Sequence, residues 1–495
     1  MPQQKHVVVI GGSVAGLATA LALGPRHRVT VLERDATPLP PTALEAFEKW
    51  NRRGSPQVRH SHAFLARLVK IVRERVPGLL DFALANGAEL LRFEDMTRAV
   101  MPNAEYLPED DEITMLACRR LTFEWILRHF VMDRGFARFR DGVEVVGLVG
   151  SPGSGGSPDR VTGVRVRGPG GDEALEADLV VDASGRRSPL AGWLGALGAE
   201  PWPEESEPCG IFYSSRFYRL RDGVAPPFTA GFQGADLGYV KCGVFPGDGR
   251  IFSITLAANP EDESLAALQH EEAFDRTVAA LTATRSWVDP AVSEPISRIH
   301  GMADLRNTRR FPLRDGEPRT LGLVAVGDAL IHSNPLNGRG CALAFVGAFE
   351  LADALAADPA DPRALALDYA ARVEREVVPW YEMTRVQDRD AIEVGEAQRR
   401  GEDPFRVTRA DGTNDPKAYM RSLIREGLVP ALAEDIVIAR AFMRVGNMLD
   451  EPSNVMARPE ILQRVLASHA RRHERDPLVH GPGRRELIEL LQRAA

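Results

Sequence analysis

The chain has 495 residues and a formal net charge of −8 at pH 7, with 44% hydrophobic and 26% charged residues. This length can bury the core of roughly two or three domains, and the composition excludes a disordered or fibrous chain. The acidic balance excludes a sequence-independent nucleic-acid binder, which would need a basic face for phosphates. Four dispersed cysteines without a CxxC pair predict neither a disulfide framework nor a zinc ribbon, and they favour a reducing cytoplasm.

The N-terminal residues predict a β-α-β unit, which is the entry of a doubly wound α/β fold. A strand at residues 6–10 is followed by the glycine turn GGSVAG, a helix that ends near Leu23 and a strand from Arg28 to Glu33. Residues 7–24 carry no charge, but the glycine turn interrupts them. We therefore expect neither a signal peptide nor an integral membrane segment here.

The glycine turn carries a dinucleotide-binding fingerprint, with Gly11, Ser13 and Gly16 at the GxGxxG positions. Glycine permits the tight turn and close helix packing, while amides at the helix N-terminus face a pyrophosphate. Glu33 ends the second strand, where an acid accepts bonds from ribose hydroxyls. A glycine-rich turn without a ligand is the alternative. The predicted cofactor contacts from this region are Gly11, Ser13, Val14, Ala15, Gly16, Glu33 and Arg34.

From there to residue 200 helical and strand-like segments alternate. Helical spacing covers residues 62–77 and 118–131. Strands are expected at residues 143–149 and 161–168 and within residues 174–185, with SPGSGGSPD as the turn between the first two.

His60 and His62 lie two positions apart before the first of these helices. Two histidines at this spacing do not make a metal site without further ligands, and we predict no metal. The alternatives for the pair are a role beside the cofactor or the substrate, and helix capping or packing.

Residues 205–300 predict an antiparallel sheet that forms a second domain, through the runs GIFYSSRFYRL, GYVKCGVFPG and IFSITLAA. Phe212, Tyr213, Phe217 and Tyr218 alternate along one strand, so about half should line a cavity and half should pack the core. From residue 361 onward the pattern is helical, and these helices offer a surface for a homodimer.

A second motif, within residues 321–355, distinguishes FAD from NAD. The buried strand LGLVAVGD delivers Asp328 at its C-terminal end, where an acid can bond a ribityl hydroxyl. A glycine-containing loop then opens a helix whose partial positive N-terminus would stabilise a reduced flavin. Arg339 in this loop is expected either to neutralise reduced flavin or to hold the loop closed by a salt bridge. The predicted contacts from this motif are Gly327, Asp328, Pro335, Gly338, Arg339 and Gly340.

These motifs, in this order, resemble those of the FAD-dependent monooxygenases built like the aromatic hydroxylases. The glycine turn with Glu33 is the first motif of that family, and Gly327 and Asp328 with the loop from Pro335 to Gly340 are the third. The segment LVVDASGRRSPL supplies the middle motif, with Asp182 as the acid and Ala183 where the family has glycine. The runs QVRHSH, DASGRRSPLAGWLGALG, CGIFYSSRFYRL and NPLNGRGCALA are similar to a bacterial subgroup that includes polyether epoxidases of secondary metabolism. The resemblance covers roughly residues 6–470.

The resemblance implies an α/β fold in which a Rossmann-like FAD-binding domain is discontinuous in sequence. Substrate-side elements are expected near residues 90–118. The implied parts are an FAD-binding domain at residues 1–200 and 301–360, an inserted antiparallel-sheet substrate domain at 201–300, and a helical C-terminal region at 361–495.

Two further FAD contacts are implied by the resemblance, Arg120 and Asp182. For Arg120 the alternative is a surface pair with Glu124 at i,i+4. No protein nucleophile is implied, because a flavin hydroperoxide transfers the oxygen. The candidates for roles beside the flavin are Arg339, His60, His62 and Tyr213.

The implied protein is a cytoplasmic oxidoreductase with non-covalent FAD, which inserts one atom of dioxygen into an aromatic or olefinic hydrophobic small molecule by hydroxylation or epoxidation. Electrons come from NAD(P)H, either directly or through a separate flavin reductase, because Ala183 replaces a glycine implicated in NAD(P)H contact. The alternatives are a reductase of the geranylgeranyl-reductase type, a flavin halogenase and a non-catalytic flavoprotein. Halogenases of this lineage carry a Trp-x-Trp motif, absent here, and a catalytic lysine, for which only Lys70 lies in a plausible region.

Overall fold

A computed structural model describes residues 4–153, 159–227, 233–357, 361–409, 411–476 and 480–492. Residues 154–158 of the predicted turn SPGSGGSPD lie outside the described residues, and the two strands flanking them pair antiparallel as expected.

A five-stranded parallel sheet forms the centre of the fold. Its near-continuous Val, Ile and Leu content matches burial on both faces, since helices cover a parallel sheet on either side. Helices Val14–Leu23, Arg120–Asp133 and Gly340–Ala357 pack around it. The strand order across the sheet is Leu323–Ala325, Leu179–Asp182, His6–Ile10, Arg28–Glu33 and Arg138–Asp141.

An antiparallel sheet of six strands forms a second layer. One face packs Phe212, Tyr218 and Phe252 against helices Glu271–Ala280 and Arg484–Gln492. The opposite face carries Tyr213 and is described with the site. The strands are Gln233–Asp236, Val240–Pro246, Ile251–Ala258, Phe212–Leu220, Ser293–Pro295 and His300–Met302.

A three-stranded sheet joins this layer to the rest of the molecule. Strand Glu204–Pro208 pairs with Arg306–Arg310. That strand pairs in turn with Ile331–His332, which lies between Asp328 and the loop of the third motif. The predicted domain limits at residues 201 and 300 therefore fall on connections that are hydrogen-bonded across the junction, and the division into domains stays a prediction.

The remaining elements surround these sheets. A mixed sheet contains the antiparallel strands Glu144–Ser151, Asp159–Gly168 and Gly171–Glu176, with Thr320–Leu321 parallel to Asp159–Gly168. Two short antiparallel pairs are Glu89–Arg92 with Thr114–Ala117 and Leu313–Arg314 with Glu317–Pro318. The other helices are Ala43–Lys49, Ala66–Arg75, Leu79–Ala85, Phe93–Thr97, Leu190–Leu197, Pro362–Glu376, Val378–Arg399, Pro416–Ser422, Leu423–Leu428, Val429–Glu434, Ile436–Gly446, Pro452–Met456 and Pro459–Ala470.

Within the described residues, one helix is long and apolar enough to cross a membrane, namely Gly340–Ala357 with a mean hydropathy of 1.6. It is 67% buried inside the molecule and packs against helix Val14–Leu23, as a core helix does.

A buried ion pair fastens helix Arg120–Asp133 to the six-stranded sheet. Arg119 donates from Nε to Asp248 Oδ1 at 3.0 Å and from a terminal nitrogen to Oδ2 at 2.5 Å, and its backbone amide also donates to Oδ1. The hydroxyl of Thr122 donates to Oδ2 at 3.0 Å. Asp248 lies in the turn between strands Val240–Pro246 and Ile251–Ala258, so the pair joins the two layers.

We expect Asp248→Asn to lower the free energy of unfolding by about 3–5 kcal/mol, because it leaves the buried Arg119 guanidinium without a counter-charge. Urea unfolding measures this loss. The matched control is Asp172→Asn, whose pair with Arg167 is exposed and screened by solvent, so this variant should unfold as the wild type does. Equal losses in the two variants would contradict the role of the buried pair.

Candidate functional site

The glycine turn brings two backbones into contact at the carboxyl edge of the parallel sheet. Gly11 has a φ of +103°, and a Cβ added to it would lie 2.7 Å from the carbonyl oxygen of Ala183. A Cβ on Gly16 would lie 1.9 Å from the carbonyl oxygen of Gly11. A side chain at either position would force these backbones apart, so the two glycines permit the tight turn and the close approach of the helix. The turn therefore has the backbone cradle that a pyrophosphate requires.

A network of buried charges lies against this turn, and its centre is Arg52. The guanidinium donates to Glu33 Oε2 at 2.9 Å, to Glu124 Oε1 at 2.6 Å and to the carbonyl oxygen of Gly12 at 3.2 Å. A weaker contact reaches Asp35 at 3.3 Å. Arg52 was not predicted from the sequence, because it lies in a loop outside any motif and its partners are distant in sequence.

Arg120 completes the network from the start of its helix. It donates to Glu124 Oε2 at 2.7 Å and to Ser13 Oγ at 3.1 Å. The expected i,i+4 pair with Glu124 is therefore present, but both side chains are buried rather than on the surface. Burial disfavours the charge of Glu124, and the guanidiniums of Arg52 and Arg120 outweigh that effect, so that the pKa of Glu124 is lowered.

Glu33 lies where the sequence places it, at the end of its strand, and its carboxylate is already hydrogen-bonded. Oε2 accepts from the Gly12 amide at 3.1 Å and from Arg52, while Oε1 accepts from the Asp35 amide at 2.9 Å. An oxygen with one such partner can accept a further bond from a ribose hydroxyl. Arg34 is exposed, with its guanidinium beside Gly54, whereas Val14 is buried and Ala15 partly so.

Asp182 is fully buried at the end of the neighbouring strand and shapes its own turn. One oxygen accepts from the amide and hydroxyl of Ser184 at 2.9 and 2.6 Å, and the other accepts from the hydroxyl of Ser188 at 2.5 Å. Burial raises its pKa against these hydrogen bonds. In this arrangement the backbone of Ala183 faces the glycine turn, and the carboxylate of Asp182 holds that backbone in place.

The third motif leaves its strand earlier than predicted. The strand is Leu323–Ala325 rather than 321–328, because Gly327 turns the chain with a φ of +63° and lies against Ala15. The Asp328 side chain is 39% exposed, and His332 Nε2 is 4.0 Å from Oδ2. Asp328 is thus a partly exposed carboxylate, and the adjacent Gly327 lies against Ala15 of helix Val14–Leu23.

The loop after this strand contacts residues 60–63, the histidine segment, which carries His60 and His62. Pro335 begins a short turn, Gly338 has a φ of +68° with its Cβ position 3.6 Å from Ala63, and Gly340 begins the long helix. This contact brings the predicted loop residues next to His62.

Arg339 is buried and faces the C-terminal helices. It donates to Thr384 Oγ1 at 2.7 Å, and its guanidinium lies 5.8 Å from the centre of the Trp380 ring. Of the two alternatives for Arg339, the salt bridge is absent among the described residues, where the side chain contacts a hydroxyl and an aromatic ring. Burial lowers the pKa of Arg339 to about 10.

The inner face of the six-stranded sheet lies against the histidine segment. Tyr213 donates to Met302 Sδ at 2.9 Å, and its ring meets the edge of the His60 ring at 4.8 Å between centroids. Phe217 packs on Phe47 on the same face, whereas Phe212 and Tyr218 lie on the opposite face, so the expected alternation is present.

Both histidines of this segment are held in place by hydrogen bonds. His60 Nδ1 lies 3.1 Å from Ser215 Oγ, and His62 Nδ1 donates to the carbonyl oxygen of His60 at 3.1 Å. Burial lowers the pKa of each to about 3, and the charge of Arg120 acts in the same direction on His62. Both rings are accordingly neutral at pH 7.

These depressed pKa values predict a pH-dependent stability. At pH above about 6.5 each histidine is neutral in both the folded and unfolded states; below that pH only the unfolded state gains the proton, so stability falls. Each histidine should contribute a loss of up to about 1.4 kcal/mol per pH unit between about pH 6 and pH 4. Urea unfolding at several pH values of the wild type and His60→Gln measures this.

The free energy of unfolding of His60→Gln should depend less steeply on pH than that of the wild type, because unfolding of the variant takes up about one proton fewer. Exposed His473→Gln is the control and should leave the dependence unchanged. A pH dependence that is the same in wild type and His60→Gln would contradict the burial of a neutral His60.

Comparison with known proteins gives one curated relative. The chain is 30% identical over 375 residues to Protein Rv3254 of Mycobacterium tuberculosis, which covers 72% of this chain and 73% of the relative. No protein-family model matches the sequence.

Several solved structures share the fold. OxyS anhydrotetracycline hydroxylase from Streptomyces rimosus is 20% identical with a TM-score of 0.55, over 90% of this chain and 76% of that one. The flavin-dependent brominase Bmp2 is 16% identical with a TM-score of 0.57, over 95% and 100%. PqsL, described as a probable FAD-dependent monooxygenase from Pseudomonas aeruginosa, is 16% identical with a TM-score of 0.53, over 80% and 98%. The expected α/β architecture is the fold of these enzymes.

Proposed function

The chain belongs to the same family as Protein Rv3254 of Mycobacterium tuberculosis, and from that premise we propose that it is an FAD-dependent monooxygenase acting on an aromatic or olefinic hydrophobic small molecule. One observation carries the proposal. The strands that precede the three motifs are adjacent in the parallel sheet, and Ile10, Asp182 and Ala325 stand side by side in register. Ligands of open α/β sheets bind at the carboxyl ends of the strands, where all three motifs lie.

The residues at that edge fit FAD. The cradle between Gly11 and Gly16 would receive the pyrophosphate, with Arg120 close by as a counter-charge. Glu33 would accept a ribose hydroxyl, and the partly exposed Asp328 would accept a ribityl hydroxyl. When bound, FAD would supply electron transfer and the activation of dioxygen, because protein side chains lack that chemistry.

The protein would contribute positioning and the exclusion of water. Tyr213 on the inner face of the six-stranded sheet contacts His60 of the segment packed against that face, and both rings are buried. The neighbouring hydrophobic cluster contains Cys209, Ile211, Ala257, Leu305 and the loop residue Leu336. An apolar substrate held there would be kept near the cofactor and away from solvent.

The fold neighbours include both oxygenases and halogenases, and the residues favour an oxygenase. Lys70, the one lysine considered for a halogenase, is held by Glu74 and Glu112 at 2.8 Å each on helix Ala66–Arg75. These ion pairs occupy its ammonium group at the surface. A reductase on the same scaffold differs in its product, which gains two hydrogens instead of one oxygen atom.

Substitutions at the sheet edge should remove the flavin. We expect Gly16→Asp and Asp328→Ala, singly and together, to abolish the flavin absorbance of the purified protein, because the first forces the helix away from the glycine turn and adds a negative charge there, and the second removes a ribityl acceptor. Asp353→Ala is the control; this exposed aspartate pairs with Arg75 and should retain the flavin. Tight FAD binding by the double variant would overturn the site.

The reaction is tested with the wild-type protein, first as an anaerobic spectrum before and after NADH or NADPH is added, then with air. Bleaching of the oxidised-flavin band by the nicotinamide alone would indicate direct reduction despite Ala183; a band that persists would indicate a separate reductase or reduction gated by substrate. Substrate screening by oxygen uptake then uses product mass as the readout. A gain of one oxygen atom supports the proposal, and a gain of two hydrogens, or no reductant-dependent oxygen uptake with any reductant, would contradict it.

A further inference from the structure

A buried carboxylate on helix Val378–Arg399, in the C-terminal region, is hydrogen-bonded to the loop of the third motif. Asp388 is 5% exposed, and its two oxygens accept from the side-chain amides of Asn334 at 2.7 Å and Asn307 at 2.8 Å. Asn307 Oδ1 accepts from the backbone amide of Asn334 at 2.8 Å. Three elements that are distant in sequence, a strand, the loop and a helix, thus meet in one closed set of hydrogen bonds.

The other end of the loop is tied to the same helix. Arg339 contacts Thr384 and Trp380, and these two residues stand one and two helical turns before Asp388. One stripe of the helix therefore contacts the loop at residue 334 and at residue 339. The segment between them contains Pro335 and Gly338.

The charge of Asp388 determines how the two amides are oriented. A carboxylate only accepts hydrogen bonds, so both asparagines must present their NH₂ groups to it. The carbonyl oxygen of Asn307 is then directed at the Asn334 backbone, and that of Asn334 is free to cap Leu336 at 3.0 Å. A neutral amide in place of Asp388 would present a donor to one of these NH₂ groups.

Burial of the charged Asp388 carboxylate costs free energy, while its hydrogen bond with Asn334 stabilises the loop. Burial raises the pKa of Asp388 against the hydrogen bonds of the two asparagines. The carboxylate also favours the charge on Arg339, whose Nε has no hydrogen-bond partner among the described residues. In some proteins a buried ionic group specifies one arrangement of its neighbours at a cost in stability.

We propose that Asp388 is a positioning residue for the loop at residues 334–340, and that through this loop it sets the affinity and the redox potential of FAD. The inference rests on the proposed function. The loop leads directly into helix Gly340–Ala357, and a displaced loop would move the positive end of that helix away from the flavin. The reduced, anionic flavin would then lose more stabilisation than the oxidised form.

The test compares Asp388→Asn with Asp390→Asn, both in the full-length protein. Asp390 lies on the same helix, is 47% exposed and pairs with Arg421 at 2.7 Å, so it controls for loss of a helix carboxylate. We expect Asp388→Asn to raise the FAD dissociation constant about tenfold and to make the flavin midpoint potential more negative. Asp390→Asn should match the wild type in both measurements.

A charge exchange separates positioning from a general packing defect. In the double variant Asn307→Asp with Asp388→Asn, the amide introduced at position 388 can donate to the carboxylate introduced at position 307, and its oxygen can accept from Asn334. Every hydrogen bond of the set then has a donor and an acceptor. We expect this double variant to recover the FAD affinity that Asp388→Asn loses. Thr384→Val, which removes the acceptor for Arg339 without changing shape, should weaken FAD binding in the same direction if Asp388→Asn does not fold.

The outcomes distinguish the inference from the proposed function. A wild-type protein that binds no FAD in titration would refute the proposed function itself. Wild-type binding together with unchanged affinity and potential in folded Asp388→Asn, or in Thr384→Val, would overturn the positioning role while leaving the function intact. Weakened affinity that the charge exchange restores would support it.

Discussion

The contact between the glycine turn and the backbone of Ala183 positions the rest of the site. Gly11 can approach that carbonyl because it has no Cβ and because its φ of +103° is available to glycine without strain. Gly16 lets the first helix approach the same turn. Since the two strands are in parallel register, this one approach aligns the helix N-terminus, the middle motif and the third motif along one edge.

The charges around this edge compensate each other inside the protein. Glu124 lies between Arg52 and Arg120, and Arg52 in turn contacts Glu33. Removing Glu124 would leave Arg120 without its carboxylate partner, and removing Arg52 would leave Glu33 without its arginine partner, which is far more costly than losing a surface pair. The network thus couples the loop at residue 52, the helix that begins at Arg120 and the glycine turn into one unit.

Loops and helices from distant parts of the chain complete the site. The C-terminal helix reaches the third-motif loop through Asp388 and Thr384, and the six-stranded sheet reaches the histidine segment through Ser215. Neither contact involves the glycine turn directly. The cofactor side and the substrate side of the proposed active site thus have different polar contacts to the rest of the molecule.

The sequence by itself determined the β-α-β entry, the glycine positions and the alternation of Phe212 and Tyr213, because these follow from local periodicity and from backbone sterics. Only the tertiary structure decided where long polar side chains point. Arg339 turns to Thr384 instead of a carboxylate, and Arg52, outside every motif, stands at the centre of the charge network. The physical reason is that the partner of a buried charge is chosen by three-dimensional proximity and desolvation, which sequence spacing does not encode.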